Sequence, residues 1–386
     1  RSMITVHTGP SAPTRTCDPA SGHWAPGQSA GDPASSLKRV SEDNPPGVDL
    51  DALRAFLGRE RPGMVSGPLT AELIAGGRSN LTYFISDANS SWVLRRPPLG
   101  HVLDTAHDMA REFTVISALR GTDVPVAQPI VLCEDLGIMD STFYLMERVA
   151  GSVLRDFDDA MAIGPSNVPA LSYRLVEVLG QLHATDPAAV GLSEFGRPDG
   201  FLERQIRRWT KQLDSSRSRV VPGIDELAAR LRTSLPTTQR AGIVHGDYRL
   251  DNVIVHRGDD GYDVAAVVDW EMSTLGDPLT DIGLFCVYWS GLGAATLVPG
   301  ADVTDPPAPF PSTDAVISTY ADSSGLDLEP LPWYIAFGSF KLAVIIEGIH
   351  YRHSLGKTVG DGFGGIGDLV QPLVDRGLLS LDQAGM

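Results

Sequence analysis

The sequence HGDYRLDN at positions 245–252 is followed by AAVVD at positions 265–269, and these two motifs are the strongest indication of the fold of this chain. The apolar strand NVIVHR begins at Asn252, and a Gly-Asp turn joins it to the strand that ends at Asp269. Two such strands with a short turn predict a hairpin, which brings Asp269 back beside Asn252. Asp247 lies five residues before Asn252 across one turn of loop. The pattern therefore predicts that two carboxylates and one amide converge at one end of this hairpin.

This set of side chains suits the transfer of a phosphoryl group. Such a transfer needs an acceptor hydroxyl held near a carboxylate, and metal ions that bridge the phosphates. Asp247 fits the carboxylate, while Asn252 and Asp269 offer the oxygen ligands that Mg²⁺ prefers. The alternative is a loop in which Asp and Asn only make turns. The preceding His-Gly and the strand-ending Asp at this distance disfavour that alternative.

Both motifs resemble the catalytic loop and metal-binding motif of the aminoglycoside phosphotransferase family. The match continues along the chain, in the same order, through GGRSNLTYFI (76–85), FYLMERVAG (143–151), LGQLHATDP (179–187) and LGDPLTDIG (275–283). Two stretches are typical of the branch found fused to, or encoded with, some acyl-CoA dehydrogenases: RPDGFLERQIRRW (197–209) and STLGDPLTDIGLF (273–285). The resemblance runs from about Leu50 to near the C-terminus.

The resemblance implies an α+β, bilobal fold like that of the protein kinases, with ATP and Mg²⁺ as cofactors and a small-molecule hydroxyl as acceptor. It implies that Asp247 is the catalytic base or orients that hydroxyl, and that Asn252 and Asp269 hold the metal. His245 would brace the loop. Kinases that act on proteins carry an H-R-D, D-F-G and A-P-E series, which this sequence lacks, so a protein substrate is disfavoured.

The chain divides into three parts by composition. Residues 1–47 are rich in Pro, Ser, Gly and Ala, lack apolar periodicity and predict a flexible tail. Residues 48–147 alternate short strand-like runs and predict a small β-rich lobe of five strands, with one helix inserted after the third. Residues 148–386 read mainly as helices around the hairpin and predict a larger catalytic and acceptor-binding lobe.

The nucleotide side is predicted from a loop, a strand and a helix. Glycines permit close backbone approach to phosphate, and hydroxyl and amide groups can bond its oxygens. Strand alternation places Val93 and Arg95 on one face of the third strand, with Arg96 toward solvent. Arg95 thus takes the position of the usual kinase lysine, and Glu112 on the next helix is its expected partner. The predicted loop comprises Gly76, Gly77, Ser79 and Asn80.

The hinge that would bond adenine is predicted at Met146–Val149. In the related kinases, backbone groups at such a hinge contact the base. Those of Glu147 and Val149 are therefore expected to do so here, following Met146 at the end of the fifth strand. Asp277 and Asp281 in the later GDPLTDIG motif either brace the catalytic loop, as the family implies, or cap a helix.

Charge and cysteine content limit the partners. The net charge of -17 makes nucleic acid and anionic membranes poor partners. Cys17, Cys133 and Cys286 are far apart and odd in number, which favours a reducing cytosol and a cytoplasmic location. No signal peptide is expected from the N-terminus. The apolar runs 282–300 and 333–349 are interpreted as core segments. Oligomeric state is not predicted.

The acceptor is left open among three readings. The segment 200–213 predicts an amphipathic helix whose polar face carries Arg204, Arg207, Arg208 and Lys211. That face is either solvated or a site for an anionic acceptor, such as a hydroxyacyl-CoA. An aminoglycoside would instead need an acidic pocket, to which Asp156, Asp158 and Asp159 would contribute. The third reading is a nucleotide-binding protein without catalysis.

Overall fold

The structure is a computed structural model that describes residues 44–74, 80–100, 108–259, 261–292 and 306–358, and finally 363–386, with the backbone alone for 291 and 292. These residues all lie within one compact unit, Glu42–Met386. The predicted tail therefore lies outside the described residues up to position 43. Residues 44–47 are described, and there the carbonyl of Pro46 accepts a hydrogen bond from the Tyr83 hydroxyl.

A five-stranded antiparallel sheet forms the N-terminal part, in the order β1-β2-β3-β5-β4. Its strands are β1 (Thr70–Leu73), β2 (Leu81–Ser86), β3 (Ser91–Arg96), β4 (Pro129–Cys133) and β5 (Phe143–Glu147). The helix α2 (Met109–Leu119) follows β3, as predicted. The strand order differs from a simple meander because β5 pairs with β3 and leaves β4 at the edge.

Helices cover both faces of this sheet. Val93 and Met146 belong to the larger apolar core, together with Val115 and Ile116 of α2. Leu94 and Leu145 point to the other face, where a smaller core includes residues of α1 (Leu50–Glu60) and of α3 (Leu136–Met139). The predicted alternation of β3 is therefore confirmed, and Val93 and Arg95 share the face toward α2.

The prediction that Arg96 faces solvent is wrong. Its side chain is 4% exposed, and its guanidinium donates hydrogen bonds to the carbonyls of Gly47 and Met139. The error arose because α1 and α3 cover the face that alternation alone leaves open. Buried in this position, Arg96 ties the segment before α1 to the end of α3.

The C-terminal part is mainly helical, with two small strand pairs at its centre. The strand β6 (Gly242–Val244) pairs with β9 (Thr274–Gly276), and β7 (Val253–Gly258) pairs with β8 (Gly261–Val267), which is the predicted hairpin. The surrounding helices are α4 (Phe157–Ala162), α5 (Val168–Ala184), α6 (Phe201–Ser216), α7 (Ile224–Thr233), α8 (Leu279–Val287), α9 (Thr313–Ser324), α10 (Leu331–Ser354) and α11 (Val370–Gln383).

The central helix α10 is the one described helix long and apolar enough to span a bilayer. Its most apolar window is 72% buried inside the protein, as expected of a core helix. It packs against α6, α8 and α11. Two charged residues, Lys341 and Glu347, interrupt its apolar sequence, and both are buried.

Candidate active site

The loop that carries the predicted catalytic residues begins after β6 at His245. It ends in a 3₁₀ turn, Leu250–Asn252, which leads into the β7–β8 hairpin. The strands fix both of its ends. At the open end of the hairpin, opposite its turn, the amide of Val268 donates to the carbonyl of Asn252 at 2.9 Å. This contact places Asp269 directly beside the end of the loop, as the sequence predicted.

The fully buried ring of His245 connects the loop to the strand that leads to Asp269. Its Nε2 lies 3.0 Å from the carbonyl of Val268, and its Nδ1 accepts the amide of Asp247 at 3.3 Å. These two partners assign the proton to Nε2, since a carbonyl can only accept and an amide can only donate. The ring is thereby placed to brace the loop.

Asp281, in the first turn of α8, holds the same loop from below. Its carboxylate accepts the amides of His245 at 2.6 Å and Gly246 at 2.8 Å. Burial alone would raise the pKa of Asp281, but the hydrogen bond and charge of His183, with His245 and the Gly246 amide, lower it below the usual value. Asp277 is not the N-cap residue of α8, which is Pro278, but it accepts the amide of Leu279 at 3.1 Å and the hydroxyl of Tyr334 at 2.7 Å.

Gly246 requires its glycine. Its φ is +89°, a conformation that L side chains rarely adopt, and a Cβ there would lie 2.8 Å from the Cβ of Met272. The close approach lets the loop turn sharply between β6 and Asp247.

The carboxylate of Asp247 is held by several partners at once. It accepts the amide of Asn252 at 3.1 Å and the hydroxyl of Tyr288 at 3.2 Å, and its Oδ2 lies 3.4 Å from Nε of Arg249. Burial and the nearby Asp247 raise the pKa of Tyr288, so its hydroxyl stays protonated and donates. The side chain of Asp247 is 28% exposed. A fixed, partly accessible carboxylate of this kind can accept a proton from a bound hydroxyl.

Asn252 and Asp269 each have a side-chain oxygen available to bind a magnesium ion. The Asn252 amide nitrogen is already bonded to Asp247, which leaves its oxygen as a ligand. Asp269 uses only Oδ1 in its contact with Arg95. Within the described part of the chain no cluster of three His, Cys, Asp or Glu side chains is found. Mg²⁺ bound by one carboxylate, one amide and substrate phosphates does not need such a cluster.

Arg95 lies between Glu112 and Asp269, as predicted for a cation on this strand. Its Nε is 3.1 Å from Glu112 Oε2, and its terminal nitrogen is 3.1 Å from Asp269 Oδ1. Burial alone would lower the pKa of Arg95, but the Tyr144 hydroxyl, Glu112 and Asp269 raise it above the usual value. Asn80 joins the group by donating to Glu112 at 2.9 Å.

We expect Arg95→Lys, which restores the usual kinase residue, to have a moderate effect. An ammonium can keep the ion pair with Glu112, but it lacks the planar fork that reaches Asp269 at the same time. The free energy of unfolding should fall by about 1 kcal/mol, and the dissociation constant of the nucleotide expected from the sequence, ATP, should change by less than about tenfold. Urea unfolding and calorimetric titration with ATP measure these two quantities. Loss of all ATP binding in the lysine variant would contradict the expectation.

The structure describes only some of the other residues predicted to contact the nucleotide. Gly76, Gly77 and Ser79 lie outside the described residues. In the hinge, Met146 is buried, Val149 is half-buried and Glu147 is exposed. The backbone and side chain of Glu147 both bond Gln128, at 2.9 Å each, which ties the hinge to the segment before β4.

A cavity of about 510 Å³ opens between α6 and α10, beside the loop that carries Asp247. Phe201 and Phe337 contribute apolar walls, and Gly246 and Met272 lie at the loop side. Its cations are Arg197, Arg204, Arg208 and Lys341, against the carboxylates of Glu271 and Asp281. Since Asp281 is already bonded by two amides, the lining is predominantly positive.

A second cavity of about 600 Å³ adjoins the first and shares two of its lining residues, Arg204 and Arg208. Arg207 and Lys211 line it as well. The predicted apolar stripe of α6 is buried, so these four cations do lie on one accessible side of the helix. The guanidinium of Arg204 also bonds the carbonyls of Arg197 and Asp199, which fixes it at the start of α6.

Two residues that contact the loop were not predicted from the sequence. Tyr288 bonds Asp247, and the Lys341 ammonium donates to the carbonyl of Gly246 at 2.7 Å. Glu271 accepts the amide of Asn80 at 3.2 Å and lines the first cavity. A charged residue inside an apolar helix was the available signal for Lys341.

The family model described as "Phosphotransferase enzyme family" matches residues 70–303. Acyl-CoA dehydrogenase family member 11 from Rattus norvegicus is 33% identical over 336 residues, covering 86% of this chain and 43% of that protein. The chain thus spans less than half the length of this relative.

Solved structures share the same fold. A putative aminoglycoside phosphotransferase from Ralstonia eutropha superposes with a TM-score of 0.73 at 33% identity, over 87% of this chain and 98% of its own. A thermostable mutant of aminoglycoside phosphotransferase APH(4)-Ia, solved with AMP-PNP and hygromycin B, has a TM-score of 0.54 at 15% identity and covers 86% and 99%. The predicted α+β kinase-like fold is confirmed.

Proposed function

Because the chain belongs to the phosphotransferase enzyme family, we propose that it transfers the γ-phosphate of ATP to a hydroxyl of a small anionic molecule, such as a hydroxyacyl-CoA. The observation that carries this proposal is a cation-lined cavity whose wall includes Gly246, the residue directly before Asp247. The resemblance to the branch associated with acyl-CoA dehydrogenases agrees with this acceptor, since the rat relative is named as an acyl-CoA dehydrogenase family member.

In this reaction the acceptor oxygen attacks the γ-phosphorus, and the bond from that phosphorus to the β-phosphate oxygen breaks. The proton of the acceptor hydroxyl passes to Asp247, while ADP leaves with the electron pair. Asn252 and Tyr288 orient the Asp247 carboxylate through their hydrogen bonds. Little covalent chemistry is needed, so positioning and charge supply most of the acceleration.

The nucleotide is assigned to the side of Arg95. Its guanidinium is rigidly paired with buried Glu112, so it presents a fixed positive charge near Asp269. A Mg²⁺ ion held by Asn252 and Asp269 would neutralise charge on the phosphates. The APH(4)-Ia structure holds AMP-PNP, which supports a nucleotide role for this fold.

The charge of the cavity favours an anionic acceptor over an aminoglycoside. A polycationic antibiotic would meet Arg197, Arg208 and Lys341 at close range, and like charges in a partly enclosed site are costly. Asp156, one of the acidic residues considered for such a drug, instead caps α4 by accepting the amide of Asp159 at 2.8 Å. Hygromycin B is a ligand of the APH(4)-Ia neighbour, and an aminoglycoside remains the second candidate acceptor.

The test is phosphate transfer from ATP and Mg²⁺, read by mass spectrometry of the acceptors. The panel contains hydroxyacyl-CoAs, free hydroxy acids and aminoglycosides, assayed separately. We expect a phosphorylated product from the anionic acceptors and none from the aminoglycosides. Products from aminoglycosides alone would replace the anionic acceptor with an antibiotic.

Binding measurements on the same samples separate catalysis from nucleotide binding. ATP binding without transfer to any acceptor would favour a non-catalytic nucleotide-binding protein. Slow hydrolysis of ATP to ADP, stimulated by an acceptor analogue that lacks the hydroxyl, would support the catalytic reading because it shows a competent γ-phosphate site.

A further inference from the structure

The side chain of Lys341 lines the first cavity beside Gly246. It belongs to the middle of α10, one turn after Phe337 and Gly338, and all three line the cavity. The residue is only 9% exposed. Its Nζ is 2.7 Å from the carbonyl of Gly246. That carbonyl belongs to the peptide bond that joins Gly246 to Asp247.

The ammonium of Lys341 has more donors than the described residues use. An ammonium carries three N–H donors, and the Gly246 carbonyl is its one hydrogen-bond partner in the described part of the chain. The Trp209 ring lies 5.6 Å away and offers a weak cation–π contact. Donors on a buried cation are costly to leave without partners. The cavity it lines is therefore the place where a further acceptor atom would be stabilising.

The charged groups around Lys341 also favour an anion in the cavity. Burial lowers the pKa of Lys341, while the nearby carboxylates of Asp247 and Asp281 act to raise it, and Arg208 acts to lower it further. Both carboxylates have committed partners, Asp281 in the amides of the loop and Asp247 in Asn252 and Tyr288. An anion in the cavity would supply charge that these two residues do not fully provide.

We propose that Lys341 is the specificity-determining ligand for an anionic group of the acceptor, a carboxylate or a phosphate, and that it couples the capture of this group to the position of Asp247. The inference rests on the proposed function and names the acceptor's recognition element. An anion bonded to Nζ is one peptide bond removed from the predicted base. The Lys341 ammonium would then bind the charged group of the acceptor and the Gly246 carbonyl at the same time. Acceptor binding would thereby be linked to the position of Asp247.

The outer cations of α6 serve a different part of the ligand. Arg207 and Lys211 line the second cavity but not the first. Charges there would meet the far end of a long acceptor, while Lys341 meets the end near the reacting hydroxyl. A small hydroxy acid would place its carboxylate against Lys341 in the first cavity, whereas a CoA thioester, which has no free carboxylate at its acyl end, would also engage α6 through its phosphates.

The test compares Lys341→Met with the wild type for three probes: hydroxybutyrate, its neutral methyl ester and hydroxybutyryl-CoA. Methionine keeps an unbranched side chain as far as the ε position and removes the charged amino group. We expect the dissociation constant of hydroxybutyrate, measured by calorimetry, to rise about 10- to 100-fold, as for the loss of a hydrogen bond to a charged group. The CoA thioester should lose less, and the ester should be unaffected.

Lys357→Met is the matched control, because Lys357 is exposed and lines neither cavity. Its affinities should equal those of the wild type. Equal loss for the acid and the ester in Lys341→Met would show that Lys341 only supports the loop and would overturn the proposal. Unchanged affinity for both charged probes, or no binding of any probe to the wild type, would overturn it as well.

Binding and turnover separate this inference from the proposed function. Charge-dependent binding that needs Lys341, without phosphate transfer, would uphold the anion site and count against the kinase reaction. Transfer to the probes with no dependence on Lys341 would uphold the reaction and reject the site.

Discussion

Asp247→Asn is expected to lower the rate of phosphate transfer about 10³-fold, which is within the range that a positioned general base contributes. Asparagine has the size of aspartate but cannot accept the proton of the acceptor hydroxyl. Its amide group would also face donors, because Tyr288 and Asn252 both donate to the native carboxylate. The loop itself should survive, since its backbone is held by Asp281 and His245.

The affinity for ATP separates a catalytic role from a structural one in this variant. Because Asp247 is assigned to the acceptor, the dissociation constant of ATP should stay within about twofold of the wild-type value. Asp263→Asn is a suitable control: Asp263 lies toward the turn of the same hairpin and pairs with Arg174 at 2.9 Å. That variant should transfer phosphate normally. A turnover of Asp247→Asn within tenfold of the wild type would contradict the assignment.

The parts of the site that depend on short sequence separations were predictable. Asp247, Asn252 and Asp269 lie within one loop and hairpin, so strand alternation and turn chemistry place them without tertiary information. The pairing of β7 with β8 bears this out. The face of β3 that carries Arg95 was predictable for the same reason.

The parts that depend on distant packing were not. Tyr288 is 41 residues from Asp247 along the chain, and Lys341 is 95 residues from Gly246. No local pattern indicates that Tyr288, directly after α8, and the middle of α10 pack against the loop. The prediction for Arg96 was wrong for the same reason. Strand alternation gives the face on which a residue lies, but not whether a helix covers that face. The central position of β5 in the sheet is likewise a long-range property.

Asp281→Asn should destabilise the protein by about 3 kcal/mol and reduce transfer at the same time. Asp281 is 1% exposed, and its two oxygens accept the amides of His245 and Gly246. Asparagine has only one acceptor oxygen, so its NH₂ group would face one of these amides and leave a buried donor unpaired. Breaking a buried charged interaction of this kind costs several kcal/mol. Activity should fall because Asp247 follows directly on Gly246.

The effect of Asp281→Asn should depend on pH in a defined direction. The folded-state pKa of Asp281 is held below its usual value of 3.8. Its carboxylate therefore stabilises the fold at pH values above about 4, and this contribution is lost as the pH falls through the lowered pKa. The difference in free energy of unfolding between wild type and Asp281→Asn should be constant from pH 7 to about 5 and shrink below about pH 4.

Urea unfolding across that pH series measures the difference directly, with Asp314→Asn as the exposed control. Asp314 lies on the surface of α9, so its variant should stay within about 0.5 kcal/mol of the wild type. A difference for Asp281→Asn that grows on acidification would mean that the folded-state pKa of Asp281 lies above its usual value and that the folded protein favours the protonated acid. In that case the two amides would be held by a neutral acid, and the loop would owe its position to His245 and Lys341 rather than to a buried charge.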